Sequence, residues 1–81
     1  MTYDEFKSQI LARAKEYPPY IRKGQGIFNA VDELTGVARA VQFEDHIDCY
    51  HNEENINAFL EASWKRVGEI LRQLDKLRKV K

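Results

Sequence analysis

"NEENINAFLEASWKRVGEILRQLDKLRKVK", residues 52–81, decides how this chain folds. Asn52 suits an N-cap, and Glu53 and Glu54 fall where a helix start carries partial positive charge. Ile56, Phe59, Leu60, Trp64, Val67, Leu71 and Leu74 then recur at helical spacing. The pattern predicts one helix of about thirty residues, about 43 Å long at a rise of 1.5 Å per residue. No upstream segment is long enough to cover such a helix. Ile70, Leu74, Leu77 and Val80 are therefore expected to lie bare on a single chain and to be buried between two, in a homodimer.

Upstream of this helix, "FEDHIDCYHN" (43–52) has no helical period and reads as an ordered loop, with Phe43, Ile47 and Tyr50 available to pack inward. A short helix over about 36–42 precedes it, with Thr35 as its cap. Before that, Tyr20, Gly24, Ile27, Phe28, Val31 and Leu34 share one face of a helix expected from about Pro19 to Leu34. Residues 3–17 place Tyr3, Phe6, Ile10, Leu11, Ala14 and Tyr17 on another amphipathic helix. Thr2 and Glu5 form its capping box, and Pro18 stops it. The expected fold is all-α: three main helices plus one short one, ending in a long C-terminal helix, in a single domain over residues 1–81.

Bulk properties limit what such a chain can do. At 81 residues, one core supplies only about 3–5 kcal/mol, so a large enclosed active site is not affordable and help from partners is common. A hydrophobic content of 43% with 32% charged residues is that of a folded domain, not a disordered one. The lone Cys49 rules out an internal disulfide and suits a reducing compartment. The opening "MTYDEFKSQI" lacks the basic start and apolar run of a signal peptide, and no stretch is apolar enough to span a bilayer. The expected setting is the cytoplasm, with no membrane partner.

Net charge is zero, but residues 42–61 hold six acids and no Lys or Arg, while residues 64–81 hold seven basic residues against two acids. A basic C-terminal end is favoured by the helix dipole alone. A nucleic-acid-binding or host-modulating tail is the alternative reading, although Glu69 and Asp75 interrupt the basic run and Trp64 belongs to the apolar stripe.

Three constellations invite chemistry. "EDHIDCYHNEE" (44–54) collects acids, His46, His51 and Cys49, but it lacks the paired ligand spacing of a structural zinc site. Cys49 has histidines nearby in sequence but no third group to orient a base and no source of an oxyanion hole. "GQG" (24–26) has no preceding strand and no following Lys-Ser/Thr, so it is not a phosphate loop. Neither catalysis, nor a metal, nor a cofactor is expected.

"RKGQGIFNAVDEL" (22–34) followed by "DCYHNEENINAFL" (48–60) resembles a group of small uncharacterised bacterial and phage proteins. Their pattern is R-x-G-Q-x-x-F-N-x-L and then D-P-F-Y-D-D-x-x-I-x-x-F-L. Arg22, Gly24, Gln25, Phe28 and Asn29 match the first part, and Asp48, Ile56, Phe59 and Leu60 match the second. Val31 stands for the leucine, Cys49 for the proline and His51 for the tyrosine. The resemblance covers the middle half of the chain. It implies a shared small fold and a phage or mobile-element setting, without a reaction.

Arg22, Gln25 and Asn29 lie on one stripe of the second helix, and Asp48 lies in the loop that must cross back over it. The expectation is a polar clamp, with Arg22 paired to Asp48 and the two amides bonding loop backbone, or else a binding stripe for an outside ligand. Gly24 and Gly26 would be small because chain passes close to them.

Overall fold

The first helix is nucleated at Thr2. Its hydroxyl accepts from the Glu5 N–H at 3.2 Å, while the Glu5 carboxylate accepts from the Thr2 N–H at 3.2 Å. In the computed structural model, which describes residues 1–79, this start opens α1 (Tyr3–Ala14). α2 (Lys23–Thr35), α3 (Ala38–Phe43) and α4 (Ile56–Lys79) follow, with a 3₁₀ turn at Glu53–Asn55 ahead of α4. The fold is all-α, and the described residues contain no strand.

α1 is shorter than its periodicity suggests. It ends at Ala14 and tightens through Glu16 N–H to Arg13 C=O and Tyr17 N–H to Ala14 C=O. Pro18 explains this: it has no N–H to donate to Ala14, and it disfavours helical geometry at Tyr17. Pro19 does not open α2 either. It lies inside a turn closed by the Ile21 N–H on the Pro18 C=O at 3.0 Å, and Arg22 stays extended. α2 therefore begins at Lys23, and Tyr20, expected on its apolar face, is exposed in the turn.

α1 and α2 pack against each other, with Ala14 at the close of α1 beside Gly26 in the first turn of α2. Arg13 near the end of α1 donates to Glu33 of α2 at 2.8 Å and also pairs with Glu16. α2 stops at Gly36, whose φ of 75° is the left-handed geometry glycine adopts without strain. Thr35 donates to the Val31 carbonyl at 2.7 Å and accepts from the Val37 N–H at 3.3 Å, so it bridges the break rather than capping α3 directly.

All four α-helices contribute to one core. Phe6 and Ile10 come from α1; Ile27, Phe28, Ala30 and Val31 from α2; and Val37, Ala38 and Val41 from the start and body of α3. Cys49 of the loop and Phe59 and Leu60 of α4 complete it. Phe28 meets Phe59 and the edge of Tyr50 at centroid distances of 5.6 and 5.4 Å. The loop does not pack as expected: Ile47 and Tyr50 turn inward, but Phe43 is 69% exposed and Cys49 is buried in its place.

α4 uses only its first half in the core. Ser63, which donates to the Phe59 carbonyl at 2.7 Å, is its last fully buried residue. Trp64 and Val67 are half-buried, and from Glu69 to Arg78 every side chain is exposed.

Candidate functional site

Two regions correspond to the residues singled out from the sequence. The first is the junction of α2 with the loop after α3. The Gly24–Cys49 approach dominates it: a Cβ added at Gly24 would sit 2.0 Å from the Cys49 carbonyl oxygen, so only a glycine lets loop backbone lie against the helix there. The Cys49 thiol in turn donates to the Gly24 carbonyl at 3.4 Å. Gly26 is less constrained, because a Cβ there would meet Ala14 and Tyr17 at ordinary contact distance.

The clamp expected from Arg22, Gln25, Asn29 and Asp48 takes a different form. Asp48 accepts from the Tyr50 N–H at 2.8 Å, the His51 N–H at 3.4 Å and the Gln42 side-chain amide at 3.2 Å, and it pairs with His51 Nδ1 at 2.8 Å. Its partners are thus its own loop and α3. Arg22 is exposed at the start of α2 without a capping bond, and Gln25 and Asn29 are half-buried with no hydrogen bond to the loop. The physical reason is that the loop approaches α2 backbone-first at Gly24, which satisfies local groups without side chains from the helix stripe. The Asn55 amide supports the same turn by donating to the Asp48 carbonyl at 3.1 Å. Asn52, expected to cap the last helix, makes no side-chain capping bond.

The electrostatics of this loop are structural. Burial pushes the Asp48 carboxyl up, but the His51 ring, the Gln42 amide and two backbone N–H groups outweigh it and hold it below its ordinary range. Burial pushes the Cys49 thiol up to about 12, with Asp48 adding to the effect, so the sulfur stays protonated and non-nucleophilic at neutral pH. Asp45 is held low by the Arg66 guanidinium, which donates to both its oxygens at 2.8 Å. Arg66 also reaches Glu44 at 3.1 Å and is held firmly protonated. One of the basic residues of the C-terminal run thus fastens α4 to the loop. Left-handed His46, with φ of 58°, turns the chain between these contacts, and Ile47 N–H returns to the Val41 carbonyl at 3.2 Å. Among the described residues, no group of three or more His, Cys, Asp or Glu gathers to hold a metal ion.

The second region is the distal part of α4. Ile70, Leu71, Leu74 and Leu77 are 43, 58, 49 and 68% exposed. They follow one another at helical spacing on a single side, by the 100° step of an α-helix. Val80, expected in the same row, lies outside the described residues. Leu71, part of the apolar stripe read from the sequence, belongs to the exposed row, and what adjoins it was not legible there. A groove of about 360 Å³ lined by Met1, Phe6, Leu34, Trp64, Val67 and Leu71 continues the apolar surface onto the body. Leu34 betrays this only through the length of α2, which carries it past the body of the core to an exposed position. By the same helical step, Lys65, Arg72 and Lys76 lie on the opposite side of α4. No helix among the described residues is long and apolar enough to cross a membrane.

No known protein family, curated protein or solved structure matches the chain.

Proposed function

We propose that this protein is a small non-enzymatic protein-interaction module that self-associates through the distal part of α4. The observation that carries this reading is the row Ile70, Leu71, Leu74 and Leu77, bare along one side of a helix that runs beyond the body of the domain. Water-exposed leucine in a contiguous stripe is unfavourable by about 25 cal/mol per Å² relative to burial, and contiguous apolar surface of this kind marks an interface. Two copies pairing by this face cover each other's stripe isologously and leave Lys65, Arg72 and Lys76 in solvent. A cytoplasmic setting and a phage or mobile-element context belong to the same proposal, the latter on the motif that begins at Arg22.

Size-exclusion chromatography with light scattering tests it. The expected result is a dimer at high micromolar concentration that Leu74→Glu with Leu77→Glu converts to a monomer of unchanged helicity. A wild-type protein that is monomeric at that concentration rejects the reading. Binding to DNA or RNA with a steep salt dependence would instead favour a nucleic-acid-binding tail.

A further inference from the structure

At the end of the bundle away from the projecting half of α4, the close of α1, the Pro18–Pro19 turn and the first turns of α2 enclose a second groove, of about 360 Å³ and open to solvent along one side. Its walls are apolar: Leu11, Tyr17, Pro19 and Ile21 line it over the buried Ile27. Its rim is cationic: Lys15, Arg22 and Lys23 border it, and no acidic residue does. Among the described residues none of the three forms an ion pair, whereas nearby Arg13 is neutralised by Glu16 and Glu33.

The placement of these charges works against the stability of α2. A helix start carries partial positive charge and favours acids, yet α2 begins with Arg22 and Lys23, has no acid in its first turn and has no side-chain cap. Positive charge is thereby concentrated beside apolar walls, and Glu53, the acid that approaches the first turn of α2, packs with the loop over Gly24 and does not line the groove. The complement of this surface is a segment that carries carboxylates next to apolar side chains. The long open side suits an extended chain, since pockets for small ligands enclose most of what they bind.

We infer that this groove docks an acidic, apolar-anchored peptide segment of a partner protein. An apolar side chain of that segment fills the cleft between Tyr17 and Ile21, while flanking carboxylates meet Lys15, Arg22 and Lys23. The binding stripe that the sequence suggested around Arg22 thus moves toward the proline turn, and Gln25 and Asn29 are not part of it.

The test is an NMR titration of the isotope-labelled full chain with a short blocked peptide alternating leucine and glutamate, beside its leucine–lysine counterpart. The glutamate peptide is expected to saturate shifts at Leu11, Ile21 and Gly26 and to weaken with salt, while the lysine peptide leaves them in place. Arg22→Glu with Lys23→Glu adds acids where a helix start favours them, so the fold is retained. This variant is expected to bind the glutamate peptide at least about tenfold more weakly and to prefer the lysine peptide. Equal response to both peptides, shifts confined to other surfaces, no saturation at millimolar peptide, or unchanged affinity in the variant would each overturn the inference. Groove shifts that grow with protein concentration alone would show a second copy in the groove and overturn it too. The α4 self-association is read separately by light scattering, so either result stands without the other.

Discussion

The two halves of α4 carry the same apolar periodicity and meet opposite fates. Residues 56–67 lie against α1, α2 and α3, where Phe59 and Leu60 are wholly buried and Trp64 stacks near Phe6 at 5.2 Å. Residues 69–78 touch the body only at the rim of the groove that Leu71 shares with Phe6 and Leu34, and they stay exposed. The difference is one of reach. α1 and α2 have 12 and 13 residues, so about 20 Å each, against about 36 Å for the 24 residues of α4. A stripe of leucines is a core where another helix lies alongside and an interface where none does.

Substitutions in the two halves should therefore separate sharply. Phe59→Ala leaves a cavity where α2 and α4 meet and is expected to cost about 3–5 kcal/mol, comparable to the stability that a core of this size supplies. Loss of the cooperative thermal transition by circular dichroism is the expected result, and a transition within a few degrees of wild type would contradict the assignment of this half to the core.

The glycines offer a gentler version of the same comparison. At Gly24 an added methyl runs into the Cys49 backbone, which cannot swing aside as a flexible side chain could. Gly24→Ala should destabilise by about 1–3 kcal/mol despite alanine's better helix propensity. At Gly68, where α4 leaves the body, an added Cβ meets nothing within 4 Å. Gly68→Ala should raise stability by up to about 1 kcal/mol. Denaturant midpoints measured on the pair decide this, and shifts of the same sign would break the contrast between a packed and a free stretch of chain.

Asp48 extends the comparison to the loop that seats the buried half. Its carboxyl titrates below its ordinary value in the folded protein, so the unfolded chain binds the proton more readily. The stabilisation it supplies is full above the unfolded value, near pH 4, and is lost as pH falls through the lower folded value. Asp48→Ala should remove this acid-side dependence and cost about 1–2 kcal/mol at neutral pH, through the unpaired N–H groups of Tyr50 and His51. An Ala variant with the same pH–stability curve as wild type would show that other carboxylates dominate acid unfolding.

The smallest effect concerns Cys49. Buried and held protonated, it should react with a thiol reagent only as fast as the protein opens, whereas the unfolded chain reacts at once. Fast labelling of the native protein would place the sulfur outside the core.

Local chemistry was sufficient for several features. The Thr2–Glu5 capping box, the stop before Pro18, the apolar stripe of a long last helix and the all-α class depend on interactions within a few residues, and these are written in the order of the chain, whereas that helix opens at Ile56 after a 3₁₀ turn and not directly after Asn52. The close approach at Gly24 was also foreshadowed, since a glycine amid an apolar helix face asks for a neighbour. Which neighbour arrives was a tertiary matter. Pro19 is compatible with a helix start or a turn, and the turn prevails where Ile21 bonds back to Pro18. Arg22, Gln25 and Asn29 share a stripe by helical geometry, yet Asp48 finds its donors in Gln42, Tyr50 and His51, because the loop descends on α2 backbone-first. Phe43, expected to pack inward, is exposed, and Cys49 is buried, since burial depends on where the chain turns and not on side-chain hydrophobicity alone. The sequence by itself determined which faces are apolar, because that follows from residue type and a fixed 100° step. Only the tertiary structure decided which of those faces are covered, because cover depends on the lengths and directions of other helices, which no local interaction encodes.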